Sequence, residues 1–126
     1  MKITLNKNYI YAAIDTNGKE VDVKQIRKIV KALELLGKTV TSIMLSEDVC
    51  CTMDTSFSEC KHYGRFPDAV MEKAYNQLAS WRMGQTEVHI KGNRLYMNVD
   101  GYEIVLPKYM YSNFDTRELS VWVYYE

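Results

Sequence analysis

Histidine is scarce in this chain. Only two occur in 126 residues, His62 and His89. A histidine-rich metal centre or a pair of imidazoles working as acid and base therefore has few parts to draw on. Cysteine is nearly as sparse, and its count of three is odd. An odd count argues against a disulfide framework and points to reduced thiols in a cytosolic setting, or in a virion if the chain is phage-encoded. No run approaches the ~20 apolar residues that a membrane helix needs, so no membrane partner is expected. The opening MKITLNKNYIYAAID is too polar to supply the apolar core of a signal peptide. No Asn-x-Ser/Thr acceptor occurs.

An excess of charge is also missing. Lys and Arg total 16 and Asp and Glu total 16, with no imbalance confined to either half. A dedicated nucleic-acid binder draws most of its affinity from phosphate neutralisation and shows a clear basic surplus. Nucleic acid is thus possible as a partner but not favoured. Apolar residues reach 47% and charged residues 25%, ordinary for a globular protein. The length fits a single domain spanning 1–126, large enough to fold without metal or disulfide support.

Periodicity supplies the elements. Residues 3–14 form a strand region, followed by the Asn17-Gly18 turn. Residues 22–36 are the clearest helix: Val23, Ile26, Ile29, Val30, Leu33 and Leu36 recur at three- and four-residue spacing. Asp22 is placed to cap it, with Gln25 in a capping-box position and Gly37 as the stop. Thr39–Leu45 reads as a buried strand, and strand–helix–strand suggests a right-handed crossover. Ser46-Glu47-Asp48 resembles a new cap, predicting a short helix to about Met53. Residues 54–66 carry no period and read as a loop. A second helix is expected over about 67–83, opened by Pro67 and closed by Gly84. The remainder reads as a C-terminal meander. Thr86–Lys91 alternates, Gly92-Asn93 turns, Leu95, Met97 and Val99 alternate, Asp100-Gly101 turns, and Tyr102, Ile104 and Leu106 alternate to Pro107. A last strand covers Glu118–Tyr125, with Leu119, Val121 and Val123 on one side and Ser120, Trp122 and Tyr124 on the other. The expected fold is α+β: a mainly antiparallel sheet of about five to six strands packed against two main helices.

Chemical motifs are incomplete. Gly37-Lys38-Thr39 ends like a phosphate loop, but position 32 is alanine and the tripeptide follows a helix instead of opening one. Cys50, Cys51, Cys60 and His62 form the one metal-ligand cluster. Their spacing, Cys-Cys-x8-Cys-x-His, matches no standard zinc pattern. The same residues hold the parts of a cysteine nucleophile with a histidine base, with nothing in the spacing to enforce that pairing. No cofactor is expected. Lys24, Arg27, Lys28 and Lys31 make a basic stripe on the first helix, which serves a phosphate backbone or simply solvates the helix.

The aromatic content is the most informative feature. Ten tyrosines occur, and the last quarter holds Tyr102, Tyr109, Tyr111, Tyr124, Tyr125, Phe114 and Trp122. Rings with one polar end are favoured at protein contacts. Tyr102, Tyr109, Tyr111, Trp122 and Tyr124 are accordingly the candidate interface. Either the helices cover these rings in a two-layer core, or another chain does. The segment 36–53, with Val-Thr-Ser-Ile-Met-Leu-Ser-Glu-Asp at its centre, resembles the strand-then-cap segment of tailed-phage capsid subunits over less than a fifth of the chain. That resemblance makes a phage or mobile-element origin an expectation and assigns no residue a role. The function expected is non-enzymatic: a structural or interaction protein, a small subunit that associates with itself or with a larger assembly. The alternatives are a regulatory binder using the basic helix face 24–31 on nucleic acid or a nucleic-acid enzyme, and a Cys/His-dependent enzyme.

Overall fold

The computed structural model describes residues 1–51, 66–79 and 84–126. The strand region at the start is two strands, Lys2–Leu5 (β1) and Tyr9–Asp15 (β2), paired antiparallel. The Asn6 N–H donates to the Tyr9 carbonyl at 3.0 Å and closes the turn between them. Helix α1 covers Val23–Leu35. At its start Asp22 Oδ1 accepts the Lys24 N–H at 3.0 Å, which satisfies one of the open donors of the first turn. The capping box is not completed, because Gln25 Oε1 is buried without a partner among the described residues. At its end Gly37 takes φ +78°. The Lys38 N–H reaches the Leu33 carbonyl and the Gly37 N–H reaches that of Glu34, which is the Schellman arrangement. Gly37-Lys38-Thr39 is therefore a helix stop.

Strand β3 (Val40–Ser46) follows, and both β2 and β3 run antiparallel to the last strand, β9 (Glu118–Tyr125), which lies between them. β2 and β3 are thus parallel, as a crossover requires, with β9 inserted in the gap. The short helix expected over 46–53 does not form in its described part. Cys50–Cys51 is instead strand β4, paired with Met110–Tyr111 (β8). The reason is where the N–H groups go. Glu47 N–H donates to the Gly84 carbonyl and Val49 N–H to that of Leu78, so the segment is tied to residues far along the chain. Ser46 Oγ accepts the Asp48 N–H as a capping side chain would, but no helix follows it in the described residues.

Helix α2 covers Asp68–Leu78, with Pro67 at its N-cap. It is shorter than expected, since Ala79 leaves the helix to form a bridge with Asp48. Gln85–Lys91 (β5), Arg94–Val99 (β6) and Tyr102–Val105 (β7) make the meander. Asp100 and Gly101 both take positive φ, 51° and 86°, as a type I′ hairpin turn demands. The final strand leaves the meander and crosses to the middle of the sheet. The seven-stranded sheet has the order β1-β2-β9-β3-β5-β6-β7, and β4-β8 form a separate pair. The fold is α+β with a mostly antiparallel sheet and two helices, one strand or two beyond the number expected.

One face of this sheet carries the core. Ile10, Ala12 and Ile14 of β2, Leu119, Val121 and Val123 of β9, and Leu45 of β3 join Val23, Ile26, Ile29 and Leu33 of α1. Val70, Ala74 and Leu78 of α2 complete the same cluster. Leu119, Val121 and Val123 have no exposed surface, as expected for a strand that is central in the sheet and covered by a helix. No helix among the described residues is long and apolar enough to cross a membrane.

Candidate functional site

Strand alternation sends every second side chain of β2 and β9 away from the helices. On that opposite face Tyr9 lies directly across from Tyr124, and Tyr11 from Trp122. The Tyr9 and Tyr124 rings are 5.3 Å apart at 45°, and the Tyr11 and Trp122 rings 5.3 Å apart at 53°. Both are tilted contacts of the kind worth about 0.5–1.5 kcal/mol beyond burial. Met44 of β3 sits across from Trp122 on its other side, and Ser42 across from Tyr124. Two of the polar ends are held as well. The Tyr11 and Ser120 hydroxyls hydrogen-bond at 2.9 Å, and the Tyr124 hydroxyl donates to Gln85 Oε1 at 2.8 Å. The four rings are each part-exposed. They form a fixed apolar array, and no described helix covers it.

The same face continues onto β5, β6 and β7 as a charged field. Glu103 bridges His89 and Lys91. Its Oε1 contacts His89 Nε2, and its Oε2 accepts from Lys91 Nζ at 2.5 Å. Lys91 foremost, with His89, holds the Glu103 carboxyl below the usual carboxylate range, and the Glu103 hydrogen bond in turn raises Lys91. The His89 ring stacks on Tyr96 at 5.8 Å and 22°. His89 thus has the hydrogen-bonded surface role that its strand position predicts.

The five candidate interface residues are not brought together. Trp122 and Tyr124 lie in the open array. Tyr102 shares the helix side of the sheet, across from Val99, and its ring packs edge-on against Phe66 at 5.8 Å. Tyr111 is buried, pairs with Cys50 and packs against Phe114, with the Arg117 guanidinium 4.5 Å from its ring centre. Tyr109 is part-exposed in the segment before β8. Tyr9 and Tyr11 complete the array in place of these three. The signal for them was the alternation of Tyr9, Tyr11 and Ala13 against Ile10, Ala12 and Ile14.

The basic stripe of α1 points outward, with Lys24, Arg27, Lys28 and Lys31 all exposed. Arg27 is committed to the Gly92 carbonyl. A groove of about 670 Å³ lies beside the start of this helix, lined by Asp15, Glu20, Asp22, Lys24 and Gln25 among others. Its mixed charge suits no single ion.

Of the Cys/His cluster, Cys60 and His62 lie outside the described residues, and only the backbone of Cys51 is described. Cys50 is half-buried on β4. Burial, followed by the Asp48 carboxylate, pushes its thiol up, with Arg117 opposing in part. Such a thiol is mostly protonated at neutral pH, the reverse of an activated nucleophile. No group of three or more potential metal ligands occurs among the described residues. No protein-family model, no curated protein and no solved structure matches this chain.

Proposed function

We propose that this protein is a non-enzymatic interaction protein, a small subunit that assembles with further copies of itself through the open face of its sheet. The observation that carries this reading is the array of Tyr9, Tyr11, Trp122 and Tyr124 on the face opposite both helices. Four large rings in paired contact, with Tyr11 and Tyr124 also held by hydrogen bonds, lose little conformational freedom on docking, and each adds substantial apolar area to a contact. The charged field beside them mixes Glu87, Lys91 and Glu103, so an identical face meeting it finds both signs. A contact between identical faces also closes on itself by two-fold symmetry, the commonest form of assembly.

Nucleic acid is the weaker partner. Three further lysines on α1, Lys24, Lys28 and Lys31, are exposed, but the chain carries no net charge to steer a polyanion. The test is native mass by sedimentation equilibrium. The wild-type protein should sediment above the mass of one chain, and Trp122→Ala should lower that mass while leaving the circular dichroism spectrum of the fold. A wild-type protein that stays a single chain up to its solubility limit would sink the proposal.

A further inference from the structure

We propose that two copies also join edge to edge through β1, antiparallel and two-fold, with Ile3 opposite Ile3 of the partner subunit. The inference rests on the reading of a self-associating subunit and names a second contact, separate from the aromatic face. β1 is the edge of the seven-stranded sheet, and no described residue pairs with its outer side. An unpaired edge is a template for another strand unless it is blunted. This edge has no proline, glycine or bulge, and Lys2 is its one charged residue.

The backbone is set for the addition. Asn6 and Tyr9 close the β1–β2 turn. In an antiparallel ladder, hydrogen-bonded and non-bonded positions alternate from that closing pair. Asn6, Thr4 and Lys2 therefore turn their amide and carbonyl groups to β2. Ile3 and Leu5 turn theirs outward, with no partner among the described residues.

The side chains select the partner and the register. Ile3 stands across from Ala12 and Leu5 across from Ile10, on the helix side of the sheet. Their neighbours on β2 are buried, yet Ile3 is 48% exposed, Leu5 75% and Met1 50%. A two-fold axis through the Ile3 pair and normal to the sheet keeps the helices of both copies on one side. It sets Ile3 on Ile3, and Met1 on Leu5 of the partner subunit. The outward backbone groups of both strands then meet one another, as the ladder requires. Lys2 falls against Thr4 of the partner subunit, with no like charge opposite. Sliding the copies one step apart opposes Lys2 to Lys2, which is destabilising. Sliding them the other way runs the overlap into the Lys7-Asn8 turn. The strand is thus complementary to itself in one register. The product is a continuous sheet of twice seven strands, with both aromatic arrays on the same side.

The experiment compares four proteins by sedimentation equilibrium: wild type, Ile3→Pro, Trp122→Ala and the double variant. Proline at position 3 removes an outward N–H and none of the bonds to β2. Trp122→Ala should sediment at twice the chain mass and the double variant at the chain mass, a twofold loss. Leu5→Lys in place of Ile3→Pro should give the same loss, and since Leu5 is largely exposed that change spares the fold. Equal masses for Trp122→Ala and the double variant would overturn the β1 contact and leave the aromatic face standing. A twofold loss from Ile3→Pro together with no effect of Trp122→Ala would keep β1 and refute the aromatic face. With the wild-type chain as blank, Ile3→Cys should form a disulfide-linked dimer on oxidation, because hydrogen-bonded antiparallel partners lie about 5.5 Å apart at Cα. Cross-linking by Thr4→Cys instead would overturn the register.

Discussion

Val121 and Trp122 are adjacent on β9 and face opposite ways, so truncating each should affect a different property. Val121 has no exposed surface and lies between Ala12 of β2 and Leu45 of β3. Val121→Ala removes two buried carbons, worth roughly 1.6 kcal/mol of transfer free energy. It also leaves a gap of roughly 50 Å³, which adds about 1.2 kcal/mol if the surroundings do not close in. Ala12, already fully buried, has no side chain with which to fill the gap. The expected loss is about 3 kcal/mol, or about 10 °C in Tm for a chain of this length. The assay is urea denaturation in the Trp122→Ala, Ile3→Pro background, so that association adds nothing to the apparent stability. In the otherwise wild-type protein, folded Val121→Ala should keep its native mass. A loss below about 1 kcal/mol would mean that β9 is not the covered centre of the sheet. A folded Val121→Ala that sediments as one chain would mean that assembly reads core packing and not the outward rings.

Gly37→Ala should cost about 1 kcal/mol in thermal denaturation. The new Cβ meets nothing within 4 Å, so only the left-handed φ opposes it, partly offset by a less flexible unfolded chain. Gly37→Asn should recover most of the loss, and a loss equal to that of alanine would refute the backbone account. The Glu103 carboxyl is held low, so the stability it contributes is present above the ordinary carboxylate range and is lost as pH falls through its folded-state value. Glu103→Gln should flatten the acid limb of a Tm-against-pH profile, and an unchanged limb would count against the bridge to Lys91 and His89. Cys50 should label more slowly with iodoacetamide at neutral pH than an unhindered thiol, followed by peptide mass mapping. Asp48→Asn should speed it, because a carboxylate that disfavours the thiolate is gone.

Local signals made part of this fold legible. Helix α1 follows from Asp22, a three-four apolar rhythm and Gly37, because each acts within a few residues. The hairpins at Gly92-Asn93 and Asp100-Gly101 follow from turns that need positive φ. The failures are non-local. Ser46-Glu47-Asp48 has the composition of a cap, but Gly84 and Leu78 claim the neighbouring N–H groups from far along the chain. Tyr111 lies in a strand of two residues, too short to show a period. Tyr102 alternates with Ile104, which places it on the helix side of the sheet, apart from Trp122 and Tyr124. The position of β9 had no local signal at all. Alternation states which side chains share a face, and not which strands are neighbours.

That position decides the candidate site. Tyr9 and Tyr11 come near the start of the chain, Trp122 and Tyr124 near its end, and neither pair alone makes an array. They meet only because β9 bypasses the meander and enters between β2 and β3. The insertion that buries Leu119, Val121 and Val123 under α1 is therefore the same event that sets four rings on the outer face. Since the two faces of a strand cannot be docked separately, the array exists only in a chain whose core is complete. Closing so long a loop is slow relative to local helix and hairpin formation.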